Sequence, residues 1–304
     1  MDALCLGKEA IYRRLRGEVP FTLEEAFTIS QALDISLDDI AGGSSDNKPF
    51  KLKLTEFVDP IETDFRQMEM MLNFMRSGRK EAYSEIGYSA NTFPKSTYLE
   101  FEYLTRFFMF RWLYQWRGIG MIKALEDIKI SERLRNISRQ YVEEAQNIKY
   151  TYHVWDHFIF HYLINDIKYF ANARLITQDD VLILKEELSQ FADKLETLAV
   201  RGKYENGNTM HIYLSDLNFD STYNYLQTEK LHLSQLKVFT MSSMISTDEL
   251  TFSKFKKWVW SLKRVSTLIS ESGELDRARF FNEQRQLINS LSNLQHPISF
   301  GHYK

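Results

Sequence analysis

A short basic segment near the start of the chain has the side chains best suited to chemistry with a partner. It carries Lys8, Arg13, Arg14 and Arg16, with Tyr12 among them. An arginine guanidinium can bond a guanine edge in bidentate fashion, which is worth about 1–3 kcal/mol of discrimination between bases. Lysine and arginine can also neutralise phosphates without reading sequence. These residue types favour a nucleic-acid contact, and the alternative is a solvated helix face.

Turn and cap signals place this segment on a short helix that is followed by a loop and a second helix. Gly17 is suited to end the first helix, because glycine adopts the left-handed conformation without a Cβ clash. Thr22 and Glu25 form a T-x-x-E capping box, which predicts the start of the second helix. Apolar or small residues then recur at helical spacing, at Leu23, Ala26, Phe27, Ile29, Ser30 and Leu33. A further short turn is predicted at residues 36–40.

This order of elements resembles the back half of a lambda-repressor-like helix-turn-helix domain, the Cro/C1 or XRE type. The matching positions are Leu4 and Leu6 beside the turn, Ala10, Ile11 and Leu15 on the inner side of the recognition helix, and Gly17 at its end. The resemblance covers residues 1–43 and is N-terminally incomplete: the family's first helix has no counterpart, and only Met1 to Leu4 correspond to the second.

The resemblance implies a bacterial, cytoplasmic transcriptional regulator that binds double-stranded DNA. In the family, the start and outer face of this helix enter the major groove. The DNA-binding residues expected here are Lys8, Glu9, Tyr12, Arg13, Arg14 and Arg16. We expect a homodimer, because one small head offers few base contacts and two heads a helical turn apart supply usable affinity.

Length and composition indicate two soluble domains. The chain has 304 residues, 44% of them hydrophobic, and a formal charge of −3, so any attraction to DNA must come from one face. Cys5 is the single cysteine and excludes an intramolecular disulfide. A linker is predicted at residues 44–53, which are rich in glycine, serine and polar side chains. Residues 54–304 are then a regulatory and dimerisation domain.

The larger domain is predicted to be mostly α, in an α+β arrangement with a small antiparallel sheet near residues 209–240. Helices are expected at 60–76, from about residue 80, and at 98–116, 131–147, 155–170, 178–200, 251–269 and 274–291. Strands are expected at 209–214, 221–226 and 237–240. No period of thirty to fifty residues repeats, which argues against a helical-repeat array.

Two groups of residues are candidates for a small-molecule pocket. His153, His157 and His161 are spaced by four residues, which would place them on one stripe of the predicted helix. A zinc site is disfavoured, because three ligands from one straight helix diverge and no CxxC or HExxH accompanies them. Trp112 and Trp116 belong to an aromatic block too dense for one helix face, which indicates core, a dimer contact or a ligand pocket.

Catalysis is not indicated, and we expect no catalytic residue, metal or cofactor. The segment from Ser266 to Glu274 has serines but no G-x-S-x-G elbow. Ser272 is predicted instead as a helix N-cap. Arg277 and Arg279 are expected to close salt bridges or to bind an anionic effector.

Two other functions remain open at this point. The chain would be a protein-interaction module with a relic DNA-binding head, or a regulator that responds to a peptide or small molecule. The absence of a repeat period and the strand-like region at 209–240 argue against helical repeats that grasp a peptide.

Overall fold

The computed structural model shows a chain of two compact units, Met1–Phe50 and Lys51–Lys304. It describes Leu4 and residues 6–33, 52–54, 60–79, 81–117, 124–238 and 240–292, except the side chains of residues 60–64 and 116–117. The turn predicted at 36–40 and most of the linker predicted at 44–53 lie outside the described residues.

In the first unit, the described residues 6–33 form two helices joined by a short loop. Helix α1 spans Lys8–Leu15 and helix α2 spans Leu23–Leu33. Gly17 has a φ of 76°, the left-handed conformation expected just after the first helix. The Thr22 hydroxyl accepts a hydrogen bond from the Glu25 backbone N–H at 3.2 Å, and the Glu25 carboxylate accepts one from the Thr22 N–H at 2.9 Å. The predicted capping box is therefore confirmed.

An eight-stranded mixed sheet organises the second unit. Its strands are β1 Lys53–Leu54, β2 Ser84–Ala90, β3 Tyr150–Asp156, β4 Thr209–Ser215, β5 Tyr223–Thr228, β6 His232–Val238, β7 Ser242–Ser246 and β8 Thr267–Leu268. Their spatial order is β1-β7-β6-β5-β2-β3-β4-β8. Strands β2, β3 and β4 are parallel, and the other neighbouring pairs are antiparallel.

The predicted fold class is therefore wrong about the size of the sheet and the direction of its strands. The strands expected at 209–214 and 221–226 are present as β4 and β5, whereas the one expected at 237–240 overlaps only the last two residues of β6. All three belong to a large sheet with a parallel centre rather than to a small antiparallel one. The helix expected from about residue 80 is also wrong, because this region forms β2. All seven residues of β2 are buried. A strand covered on both faces loses the apolar–polar alternation by which strands are recognised in a sequence.

Helices connect the strands and cover the sheet. They are α3 Pro60–Gly78, α4 Lys95–Tyr98, α5 Glu102–Arg117, α6 Glu132–Gln146, α7 Ile159–Asn172, α8 Gln178–Arg201, α9 Glu249–Val265 and α10 Glu274–Asn289. The helices predicted at 60–76, 131–147 and 178–200 are confirmed. The helix predicted at 155–170 is wrong at its start, because Trp155 and Asp156 end β3. Among the described residues, no helix combines the length and apolar character needed to cross a membrane.

Alternate residues of β3 contribute to two separate cores. Trp155 belongs to the larger core, of which Phe160 of α7 and Phe191 of α8 are also members. Val154 belongs to a smaller core with Phe252 of α9. Because successive side chains of a strand point to opposite faces, helices α7 and α8 cover one face of the sheet and α9 covers the other.

Candidate functional site

Helix α1 presents different residues on its two sides. Ala10, Ile11 and Arg14 are half-buried. Leu15 is exposed, and the exposed charged or aromatic residues are Lys8, Glu9, Tyr12, Arg13 and Arg16. At 3.6 residues per turn these five fall on one side of the helix. Five of the six predicted DNA-binding residues therefore share an outer surface, which we call the basic face.

Arg14 is the predicted DNA-binding residue that does not belong to the basic face, and this part of the prediction is corrected. Its guanidinium donates hydrogen bonds to both carboxylate oxygens of Glu25, from Nε at 2.9 Å and from Nη2 at 2.8 Å. The bond from Arg14, followed by the bond from the Thr22 N–H, lowers the pKa of Glu25. A bidentate pair has a fixed geometry. Arg14 therefore joins α1 to α2 instead of pointing outward.

The other two arginines of α1 share one acidic neighbour. Glu18 lies 3.4 Å from Nε of Arg13 and 2.7 Å from Nε of Arg16. All three side chains are about half exposed, at 46–57%. Exposed ion pairs of this kind contribute about 0–1 kcal/mol, so a phosphate or base edge can displace Glu18 at little cost.

The first unit also exposes several large apolar side chains. Leu15, Leu23 and Phe27 are 68%, 81% and 54% exposed. Leu15 was expected to pack inward, and that expectation is wrong for the described residues. Two helices alone bury only the strip along their line of contact, and Leu15 lies outside that strip.

The three histidines predicted to share a helical stripe lie on different elements. His153 is on β3, His157 is in the turn that follows, and His161 is on α7. His153 is fully buried, and neither ring nitrogen has a hydrogen-bond partner among the described residues. This burial lowers the pKa of His153 to about 3. His153 is therefore a neutral core residue, and the single-stripe arrangement is wrong because the helix begins only after β3.

The other two histidines lie nearer the surface. His157 Nε2 is 3.6 Å from a carboxylate oxygen of Glu283. Burial, and then the nearby charge of Lys168, lowers the pKa of His161.

The tryptophans of the predicted pocket do not form one with these histidines. Trp112 is buried in the larger core, on α5. The side chain of Trp116 lies outside the described residues. Of the residues whose side chains the structure describes, neither Trp112 nor any of the three histidines lines the clefts described below.

The segment before α10 is held by backbone contacts. Gly273, with a φ of 70°, is the N-cap residue, so the prediction of Ser272 is wrong. The buried Arg277 donates to the carbonyl oxygens of Ile269 at 2.9 Å and Ser272 at 3.2 Å. Arg279 lies 3.9 Å from Asp276 in an exposed pair. Arg277 is therefore a structural residue.

A buried carboxylate that the sequence analysis missed lies on the α9 side of the sheet. Glu85 accepts hydrogen bonds from the hydroxyls of Tyr225 at 2.6 Å and Tyr83 at 2.7 Å, and Lys256 Nζ lies 3.0 Å away. Burial raises the pKa of Glu85, but the bonds from Tyr225, Tyr83 and Lys256 outweigh burial and the net shift is downward. Both oxygens of Glu85 are occupied, so this cluster ties β2 to α9 and does not present a reactive group.

A small cleft of about 60 Å³ lies over the other face of the sheet. Its walls come from α3, α4, α6 and strands β5, β6 and β7, and they include Gln67, Lys95, Asn224 and Lys237. A neighbouring, more open cavity of about 290 Å³ shares Lys237 with it. The sequence analysis singled out none of these residues as a site, because they are single polar positions scattered over residues 67–243.

Comparison with protein-family models, with curated proteins and with solved structures found no match for this chain. The geometry of the basic face and of the cavities in the second unit therefore carries the functional proposals.

Proposed function

We propose that this chain is a sequence-specific DNA-binding transcriptional regulator. The first unit is the DNA-reading head, and the second is a regulatory and oligomerisation domain. The observation that carries this proposal is the basic face of α1. Lys8, Arg13 and Arg16 lie exposed on one side of the helix, while Arg14 on the opposite side fixes the helix against α2.

The basic face supplies the two kinds of contact that sequence-specific recognition needs. Arg13 is placed to bond a guanine edge, and Glu9 can accept a bond from a cytosine amino group. Lys8 and Arg16 supply phosphate contacts, which set the position of the helix on the duplex. Tyr12 adds an aromatic ring that can contact a thymine methyl group or a sugar.

The distribution of charge in the first unit favours a DNA contact through the basic face and not through its other surfaces. Residues 6–33 contain four basic side chains, Lys8, Arg13, Arg14 and Arg16, and four acidic ones, Glu9, Glu18, Glu24 and Glu25. The charges of Arg14 and Glu25 cancel each other. Attraction to DNA therefore depends on where the other charged side chains lie on the surface. A homodimer would double the number of contacts, with its heads about 34 Å apart along the duplex.

Selection from a random duplex pool, followed by fluorescence anisotropy with the full chain, tests this proposal. We expect enrichment of a preferred site. For the two phosphate contacts of Lys8 and Arg16, the logarithm of the association constant should fall with the logarithm of salt concentration with a slope of about −2 for one head and about −4 for a dimer. Arg13→Ala should relax the preference at one base position and weaken specific binding about tenfold or more.

The matched control is Lys257→Ala, which removes an exposed cation from α9 in the second unit. It should leave affinity within about twofold, because the proposal places no DNA contact on α9 and exposed charges outside the contact are screened by salt. Absence of saturable, salt-sensitive binding, or equal effects of Arg13→Ala and Lys257→Ala, would refute DNA recognition by α1.

The exposed apolar side chains of the first unit support a second candidate, a protein-interaction module. Leu23 and Phe27 on α2 are the most prominent of them. In that case Leu23→Ser with Phe27→Ser would abolish partner binding, and Arg13→Ala would leave it intact. The DNA-binding proposal predicts that, in the anisotropy experiment, Arg13→Ala weakens DNA binding and Leu23→Ser with Phe27→Ser leaves it intact.

A further inference from the structure

We propose that the second unit binds a free α-amino acid with an apolar side chain in a cavity between α5 and α6. The cavity has a volume of about 350 Å³, which lies within the range of pockets that hold small molecules in proteins. Its walls come from residues in the ranges 99–105 and 130–146. The proposal concerns the second unit alone and does not depend on DNA binding.

Three of the five charged side chains that line the cavity are already paired. Arg135 donates two hydrogen bonds to the carboxylate of Glu102, from Nε at 3.2 Å and from Nη2 at 3.0 Å. Glu100 forms an ion pair with Lys194 of α8. Each of these pairs is neutral as a whole, so it offers a ligand no net charge.

Arg139 and Glu143 are the other two charged side chains of the lining, and they carry opposite charges. Both are exposed on α6, one turn apart, and neither side chain forms an ion pair or hydrogen bond with the described residues. Residues four apart on a helix have Cβ atoms about 5–6 Å from each other. The carboxylate and ammonium groups of a free amino acid are attached to the same carbon atom, so one molecule can contact both side chains.

An unpaired buried hydroxyl is an independent indication of a ligand. Ser138 of α6 lines the cavity and is only 4% exposed. Its Oγ has no hydrogen-bond partner in the part of the chain that the structure describes, although a serine within a helix can bond to the backbone carbonyl four residues earlier. Buried polar groups are normally paired, so this hydroxyl calls for a partner from outside the chain. The carboxylate of a bound amino acid can accept its hydrogen bond.

The buried part of the lining suits an apolar side chain. Leu99, Ile130 and Val142 line the cavity and are 6–8% exposed, whereas the unpaired charges lie on exposed residues. An amino acid bound here would insert its side chain against these three residues and keep its charged groups at the opening. A charged side chain is disfavoured, because burying it without a partner is costly.

Isothermal titration calorimetry of the full chain with L-leucine, L-methionine and L-phenylalanine tests this proposal. We expect at least one of them to saturate a single site per chain. Isocaproate is leucine without the ammonium group, and isoamylamine is leucine without the carboxylate. Each should bind about fivefold or more weakly than leucine, as the loss of one hydrogen-bonded charge would give. Glycine, which lacks the apolar side chain, should show no measurable binding.

Substitutions assign each charged group of the ligand to its partner. Arg139→Gln should weaken leucine about fivefold and change isoamylamine less than twofold, because isoamylamine has no carboxylate to lose a contact. Glu143→Gln should weaken leucine by a similar factor and change isocaproate less than twofold. Ser138→Ala should weaken leucine without removing a charge. Arg264→Gln on α9 and Glu274→Gln on α10 make the same charge changes at exposed positions outside the cavity, and neither should change any of these Kd values.

Three results would overturn the proposal. They are failure of all three amino acids to saturate a site, tighter binding of the dipeptide leucyl-leucine than of leucine, and equal effects of Arg139→Gln and Arg264→Gln on leucine. The dipeptide result would show that the cavity takes a peptide, whose terminal charges are further apart. Urea unfolding of each variant, followed by tryptophan fluorescence, separates loss of binding from loss of folding. The exposed, unpaired positions of Arg139 and Glu143 make loss of folding a small effect for both variants.

Discussion

His153 lies face to face against Tyr88, with the ring centroids 4.8 Å apart and the ring planes 4° from parallel. The two residues are paired in register on the parallel strands β2 and β3. This stack occupies the centre of the sheet, where water does not reach the imidazole. The energetic consequence is that protonation of His153 requires the fold to open.

The first prediction is that His153 makes the second unit sensitive to acid. Burial lowers the pKa of His153 to about 3 in the folded chain, against 6.5 for an ordinary histidine. The unfolded chain therefore binds the extra proton first. The stabilising contribution is present above pH 6.5 and is lost progressively as the pH falls from 6.5 towards 3, by up to about 1.4 kcal/mol per pH unit.

Urea unfolding at pH 7 and pH 5 measures this contribution. All five tryptophans lie in Lys51–Lys304, so their fluorescence reports on the second unit. His153→Phe preserves a ring for the stack with Tyr88 and cannot be protonated. The wild-type chain should lose about 2 kcal/mol more than His153→Phe between the two pH values. Parallel changes in the two proteins would contradict this account.

The second prediction rests on the proposed DNA contact and concerns Glu18, which pairs with Arg13 and Arg16. Glu18→Gln should strengthen DNA binding about two- to fivefold, because it frees Arg13 and Arg16 from two weak exposed ion pairs. Glu24→Gln makes the same charge change on the exposed surface of α2 and is the control. Anisotropy titrations of the two variants should differ. Equal gains would show that only the net charge of the unit matters.

The third prediction concerns Glu85 and its partners. Glu85→Gln keeps the shape of the side chain but replaces a carboxylate that accepts from Tyr225 and Tyr83 and pairs with Lys256. The free energy of unfolding should fall by about 2 kcal/mol, the value of one charged hydrogen bond in a buried site. Glu143→Gln, on the exposed surface of α6, should change it by less than about 0.5 kcal/mol.

Glu85 should also make the stability of the second unit sensitive to acid, at lower pH than His153 does. The pKa of Glu85 is lowered from 4.5 in the folded chain. Its stabilising contribution is therefore present above pH 4.5 and is lost as the pH falls below that value. The difference in unfolding free energy between the wild-type chain and Glu85→Gln should shrink between pH 5 and pH 3. A constant difference over that range would exclude this role.

Local signals predicted the helices and caps of this chain much better than its sheet. The capping box of Thr22 and Glu25 could be predicted because both halves of the signal lie within four residues. The strands β2 and β3 could not, because their burial depends on helices far away in the chain. The four-residue spacing of His153, His157 and His161 fits one face of a helix, but His153 lies on β3. The spacing of histidines alone therefore does not distinguish a helix from a strand followed by a helix.

The basic face could be predicted in outline, but the role of each arginine could not. Helical spacing alone places Arg14 on a different side of α1 from Arg13 and Arg16. It does not say that Glu25 of the next helix would take up Arg14, since that depends on the way the two helices pack. The cleft could not be predicted, because its residues come from distant parts of the sequence and lie close together only once the sheet has formed.

The fourth prediction concerns Gly87. It lies within β2, and a Cβ atom placed there would be 2.4 Å from the ring of Tyr225. The missing side chain is what lets Tyr225 cross the strand and reach Glu85. Gly87→Ala should therefore lower the unfolding free energy by about 1–3 kcal/mol, as overpacking of a core does.

The matched control for Gly87→Ala is Gly7→Ala, where an added Cβ meets no atom within 4 Å. Gly7 lies in the first unit, so tryptophan fluorescence should show no change in the unfolding of the second unit. A double-mutant cycle with Glu85→Gln adds a specific test, because displacement of Tyr225 already weakens its bond to Glu85. The two substitutions together should cost less than the sum of their separate effects. Full additivity would mean that Gly87 does not act through Tyr225.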